Sequence, residues 1–122
     1  MTRHALELIV GVVIVLAQFA ALSGVKAAEC GLASYYCCWH HGRTMANGRP
    51  FDQNAMTAAH KTLPLGTVLR VTNPRNGNAV KVTITDRGPY IKGRVLDLSR
   101  GAAARLGMVQ QGVGRVCWTR LR

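Results

Sequence analysis

The stretch Val80-Lys81-Val82-Thr83-Ile84-Thr85-Asp86-Arg87-Gly88-Pro89 alternates apolar and polar side chains and then breaks off at a glycine and a proline. Period-two alternation puts Val80, Val82 and Ile84 on one face of a strand and Lys81, Thr83 and Thr85 on the other. The strand carries Asp86 to a rim where the chain must turn, a position that suits either chemistry or simple capping of the turn by its own carboxylate. Upstream, Thr67-Val68-Leu69-Arg70-Val71-Thr72 is a second β-rich run. The Asn73-Pro74-Arg75-Asn76-Gly77-Asn78 segment between the two predicts a hairpin. Working outward, Ala33 to Tyr36 and Arg94 to Asp97 read as short strands, Arg115 to Leu121 as the last strand, and Gly42 to Gly48 as a loop with a turn at Met45-Ala46-Asn47-Gly48. One helix is predicted from Arg100 to Leu106, capped by Ser99 and stopped at Gly107. Many short strands with a single helix predict a small closed β-barrel, the form that leaves no exposed sheet edge.

The chain has 122 residues, 48% of them hydrophobic, which is the size and apolar content of one small domain. Sixteen Lys and Arg against five Asp and Glu give a formal charge of +11. That is too basic for a neutral surface and too apolar for a disordered basic tail, so an anionic partner is expected. The apolar run from Leu8 to Leu22 follows a thin positive region at Arg3, and Val25 and Ala27 offer small residues for cleavage. This predicts a signal peptide over residues 1–27 and a mature domain over 28–122; an uncleaved anchor is the alternative, although the run is short for a bilayer span. Glu29 stands before Cys30 where a lipobox needs a small residue, so neither a lipid anchor nor a lasting membrane attachment is expected. An exported chain without a nucleic-acid motif points to an anionic cell-envelope polymer rather than to nucleic acid.

Cys30, Cys37, Cys38 and Cys117 form an even set, which in an exported small domain predicts two disulfides. A bond between neighbouring Cys37 and Cys38 would be strained. The expected arrangement joins one of them to Cys30 and the other to Cys117, with Cys30–Cys117 as the alternative. Cys37, Cys38, His40 and His41 also allow a zinc reading, but their crowding lacks ordinary ligand spacing, and no metal or cofactor is expected.

After the leader, the only acids are Glu29, Asp52, Asp86 and Asp97, so any acid–base mechanism draws on that short list. Asp86 is the first candidate. His60, in the loop Thr57-Ala58-Ala59-His60, gains weight only if it lies near Asp86. Alternation points Asp97 away from Leu96 and Leu98, where it could orient Arg94, cap the helix or support Asp86. Tyr35, Tyr36, Trp39, Phe51 and Tyr90 lie near these motifs, and exposed members of that group would suit stacking on sugar rings.

In order along the chain, Gly31-Leu32-Ala33-Ser34-Tyr35-Tyr36, Ala46-Asn47-Gly48, Thr57-Ala58-Ala59-His60, Leu63-Pro64-Leu65-Gly66-Thr67, Asp86-Arg87-Gly88-Pro89 and Gly93-Arg94-Val95-Leu96-Asp97-Leu98-Ser99 resemble the rare lipoprotein A family. The resemblance implies a six-stranded double-psi β-barrel, a fold shared with expansin-like and barwin-like groups. It also implies a monomeric, periplasmic or cell-envelope endolytic peptidoglycan transglycosylase that prefers glycan strands free of stem peptides. Carried over residue by residue, Asp86 is the catalytic acid and His60 its partner, while Asn47, Arg87 and Asp97 shape or line the substrate groove, together with Tyr36. Arg49 stands where the family often has Glu, and these 122 residues hold no sporulation-related repeat, so targeting is expected to come from elsewhere or to be absent. A hydrolysing glycosidase needs two carboxyl groups, whereas a transglycosylase can use one as acid and then as base. A non-catalytic, expansin-like wall-binding module and a hydrolase pairing Asp86 with Asp52 or Asp97 are the competing readings.

Overall fold

The computed structural model describes residues 28–36 and 38–122, so the predicted signal peptide lies outside the described residues. Six strands, β1 (Glu29–Tyr35), β2 (Thr57–Ala59), β3 (Val68–Thr72), β4 (Ala79–Asp86), β5 (Arg94–Leu98) and β6 (Gly114–Arg120), close in the order β1-β5-β2-β4-β3-β6. The pairs β1–β5 and β2–β4 are parallel, and the other four are antiparallel. A closed ring leaves no strand edge, as the run of short strands predicted. Among the described residues no helix is long and apolar enough to cross a membrane.

The β3–β4 hairpin is the regular part of the wall. Its five cross-strand pairs run without a slip from Val68↔Thr83 to Thr72↔Ala79. Leu69, Val71, Val80, Val82 and Ile84 point inward and are buried, joined in the core by Leu96, Leu98, Val116, Leu106 and Met108. The asparagine-rich turn also secures the neighbouring helix. Asn73 and Asn76 donate from their side-chain amides to the carbonyl of Leu106, at 2.9 and 3.0 Å, satisfying an acceptor that the helix end leaves open. Helix α1 (Arg100–Arg105) begins where predicted, with the Ser99 hydroxyl accepting from the Ala102 amide.

Two expectations are corrected. Cys30 is bonded to Cys117, the pairing held as the alternative, because β1 and β6 set these two residues directly opposite each other. Neither is therefore joined to Cys37 or Cys38. In the chain-entropy view, closing a loop of 87 residues' separation stabilises the fold by roughly 4.6 kcal/mol. The second correction concerns Thr57-Ala58-Ala59, which is a strand rather than a loop. Its two alanines carry no β signal of their own, yet both are buried in a strand that is paired with β4 on one side and β5 on the other.

Candidate active site

Strand β2 builds the site. Ala58 faces Ile84 on β4, but the pairing slips by one residue and Ala59 faces Asp86. The residue skipped is Thr85. On its other side Ala59 faces Asp97 of β5. Two acids from the consecutive strands β4 and β5 thus flank one alanine of β2, with backbones two strand spacings apart, about 10 Å, and both line the same cleft. The slip is held from outside. The Asn47 amide donates to the Thr85 carbonyl at 3.2 Å, and the Thr85 hydroxyl lies 3.3 Å from the Met45 sulfur. The predicted turn at Met45–Gly48 closes with Gly48 at φ +84°, a left-handed conformation that favours glycine.

Three donors converge on Asp86. One carboxylate oxygen, Oδ1, accepts from the amides of Ala46 and Arg87, each at 2.9 Å, and the other, Oδ2, accepts from the Tyr36 hydroxyl at 2.7 Å. Burial, and next the hydrogen bond to Asp86, raise the Tyr36 phenol above its usual range, so it remains a proton donor. Asp97 accepts from the Ser34 hydroxyl at 3.2 Å. Burial pushes its carboxyl up to about 6; the Ser34 bond and the charges of His40 and Arg94 pull the other way, while Asp86 adds to the rise.

His60 directly follows β2. Its backbone amide donates to the Asp86 carbonyl at 3.2 Å, and its ring Nδ1 accepts from the amides of Thr62 and Leu63, at 3.1 and 3.0 Å. Among the described residues no hydrogen bond joins this ring to the Asp86 carboxylate. Burial first, then the Arg87 charge, hold the imidazole below its usual pKa, which keeps Nδ1 available as an acceptor. Arg87 fastens the same turn by donating to the carbonyls of His60 and Leu63, at 3.1 and 2.7 Å. Asp86, Arg87, Asp97 and Tyr36 line one open cleft of about 440 Å³. Asn47 stands on the exposed loop beside it, its side-chain oxygen accepting from the Arg49 amide. Asp52 is exposed, caps its own turn at the Asn54 amide and does not line the cleft. Arg49 is likewise exposed and does not line the cleft.

The aromatic candidates divide by burial. Phe51 is buried, and Tyr35 packs on the core while donating to the Val109 carbonyl at 2.8 Å. Trp39 and Tyr90 stand exposed on the cleft wall. Ser34 was not among the candidates; its only signal is its place in the strand two residues before Tyr36.

A closed six-stranded barrel with two acids gathered at one mouth defines a double-psi β-barrel protein with a carboxylate cleft. The chain belongs to the lytic transglycolase family of such barrels, whose family model matches residues 28–118. It is 54% identical over 98 residues to a probable endolytic peptidoglycan transglycosylase RlpA of Synechocystis, covering 80% of this chain and 30% of that protein. It is 48% identical over 86 residues to the endolytic peptidoglycan transglycosylase RlpA of Campylobacter jejuni, covering 70% and 31%. The chain therefore spans under a third of the length of these curated relatives. Among solved structures, the apo expansin of Clavibacter michiganensis aligns with a TM-score of 0.62 at 26% identity, covering 79% of this chain and 51% of that one.

Proposed function

We propose that this barrel is an endolytic peptidoglycan lytic transglycosylase of the cell envelope, cleaving the MurNAc–GlcNAc linkage to leave 1,6-anhydro-muramyl ends. The observation that carries the reading is the placement of Asp86 and Asp97 on either side of Ala59 in one cleft. The relatives' names support the substrate class, and the basic charge suits an anionic polymer.

Burial lets Asp97 keep a proton up to about pH 6, which makes it the proton reserve of the site. In the proposed reaction that proton is handed across the cleft to the Asp86 carboxylate, and Asp86 gives it to the glycosidic oxygen as the bond to the muramyl C1 breaks. The C6 hydroxyl then attacks C1, and its proton returns to the pair, so no water is consumed. Tyr36 and the Ala46 and Arg87 amides fix the Asp86 carboxylate throughout. His60 and Arg87 act as positioning residues that brace the turn behind it. Arg87, Asn47 and Tyr36 also present polar groups to the sugar chain.

Mass spectrometry of denuded glycan strands incubated with the protein and with Asp86→Asn tests this reading. Anhydro-muramyl ends from the wild type alone are expected. Ends one water heavier would mean hydrolysis by the carboxylate pair. The expansin likeness favours a second reading, a wall-binding module, which binding without new ends would establish.

A further inference from the structure

We propose that Trp39 and Tyr90 form a stacking subsite for pyranose rings beside the carboxylate pair. Its ligand class, a β-linked hexopyranose chain, rests on the glycan-cleaving reading; its place rests on geometry alone. Trp39 and Tyr90 are 66% and 78% exposed, and both line the cleft that holds Asp86 and Asp97. Burial was open to rings in this part of the chain, since Tyr35 packs on the core and Phe51 is 4% exposed. The fold leaves these two outside, where an apolar ring gains nothing without a partner.

Trp39 packs on a neighbouring ring, and Tyr90 lies over the turn that carries it. Trp39 sits on the 3-10 turn Cys38–His40 and meets the His40 ring edge to face, with centroids 4.8 Å apart. His40 meets Tyr36 in the same manner at 5.3 Å, Tyr36 leans on Phe51 at 4.7 Å, and the Tyr36 hydroxyl donates to Asp86. A short series of contacts thus joins the outer ring to the reactive carboxylate. Tyr90 follows the Arg87-Gly88-Pro89 turn, its ring lying so close to Gly88 that a Cβ there would touch it at 3.7 Å. The two rings come from separate segments of the wall, and each segment is bonded to Asp86, through Tyr36 on one side and the Arg87 amide on the other.

A pyranose offers an apolar face of C–H groups, weakly positive, which matches the negative face of an aromatic ring. A ring already packed on its neighbour, as Trp39 is on His40, loses less side-chain entropy on binding. Their task is to hold the chain so that one glycosidic oxygen lies over the carboxylates, which makes them binding residues rather than catalytic ones.

The chain has two tryptophans, and Trp118 is buried in the core, so a change in tryptophan emission on adding a ligand reports on Trp39. Titration of the wild type and of Asp86→Asn with a β-1,4-linked N-acetylglucosamine hexamer is expected to give a saturable change. Trp39→Ala and Tyr90→Ala should each weaken binding about tenfold by calorimetry, with Trp39→Phe restoring most of it and thermal unfolding unchanged. On denuded glycan both alanine variants should raise KM with kcat nearly constant. Wild-type affinity in both alanine variants, binding without an emission change, or no saturable binding of the hexamer overturns the subsite. A protein that binds with the Trp39 response but forms no new ends refutes the catalytic reading alone. Anhydro ends with KM unmoved in both alanine variants refute the subsite alone.

Discussion

The β3–β4 hairpin and the β2 crossing are adjacent parts of one wall, built on opposite terms. In the hairpin every pair is in step and every inward side chain is apolar. At β2 the strand is three residues long, runs parallel to one neighbour and antiparallel to the other, and slips beside one of them. Regular alternation buries apolar surface well, but it would have set Thr85, not Asp86, opposite Ala59. The extra residue breaks the rhythm and brings Asp86 level with Asp97. Apolar burial is thus concentrated where the pattern is kept, and the two acids are brought level where it is broken.

The largest expected effect lies at β2. Asp86→Asn should lower the rate of anhydro-end formation by about 10³-fold while leaving the cooperative unfolding transition in place, as mass spectrometry and thermal melts would show. An active Asp86→Asn protein would remove the site from this crossing. In the hairpin the reverse is expected. Ile84→Ala leaves a cavity among Leu69, Val82 and Leu96 and should cost about 2–5 kcal/mol in urea unfolding, with little change in the activity of the molecules that remain folded.

Ala59→Val sharpens the contrast, because it enlarges the residue between the two acids. We expect a stability loss of about 1–3 kcal/mol, smaller than for Ile84→Ala, together with a clear fall in kcat as the carboxyls are forced apart. If activity survived intact, the spacing across Ala59 would not matter.

The smallest effects are those of pH. Activity should fall as pH rises through about 6, where Asp97 loses its proton, and Asp97→Asn should abolish that limb of the profile. For stability the two shifts have opposite signs. Asp97 has a folded pKa above its unfolded one, so its contribution is full below about 3.9 and is lost as pH rises through about 6. His60 is shifted down, so its contribution is full above about 6.5 and is lost as pH falls through its lowered value. Carboxyl and imidazole titrations by NMR, beside urea unfolding across this range, check both signs.

Much of the hairpin was legible because its information is local. Val80, Val82 and Ile84 declare a face, Asn73 to Asn78 a turn, and Ser99 and Gly107 the ends of a helix, each within a few residues. Asp86 was legible for the same reason, as a carboxylate at the end of a strong strand. Strand β2 was not, since two alanines and a threonine show neither alternation nor bulk and become a strand only between partners.

By itself the sequence determined the strand-rich plan, the helix cap, the strong positive charge, the scarcity of acids and the family likeness. All of these are properties of neighbouring residues or of sums over the chain. Tertiary structure alone decided that Cys30 meets Cys117 across 87 residues, that Tyr36 reaches Asp86 across 50 and that Ser34 reaches Asp97 across 63. It also decided that burial raises Asp97, and that Trp39 and Tyr90 remain outside while Phe51 goes in. Contact across such separations depends on which strands close the barrel together, and the one-residue slip that aligns the acids is stabilised by a loop some forty residues away in the chain.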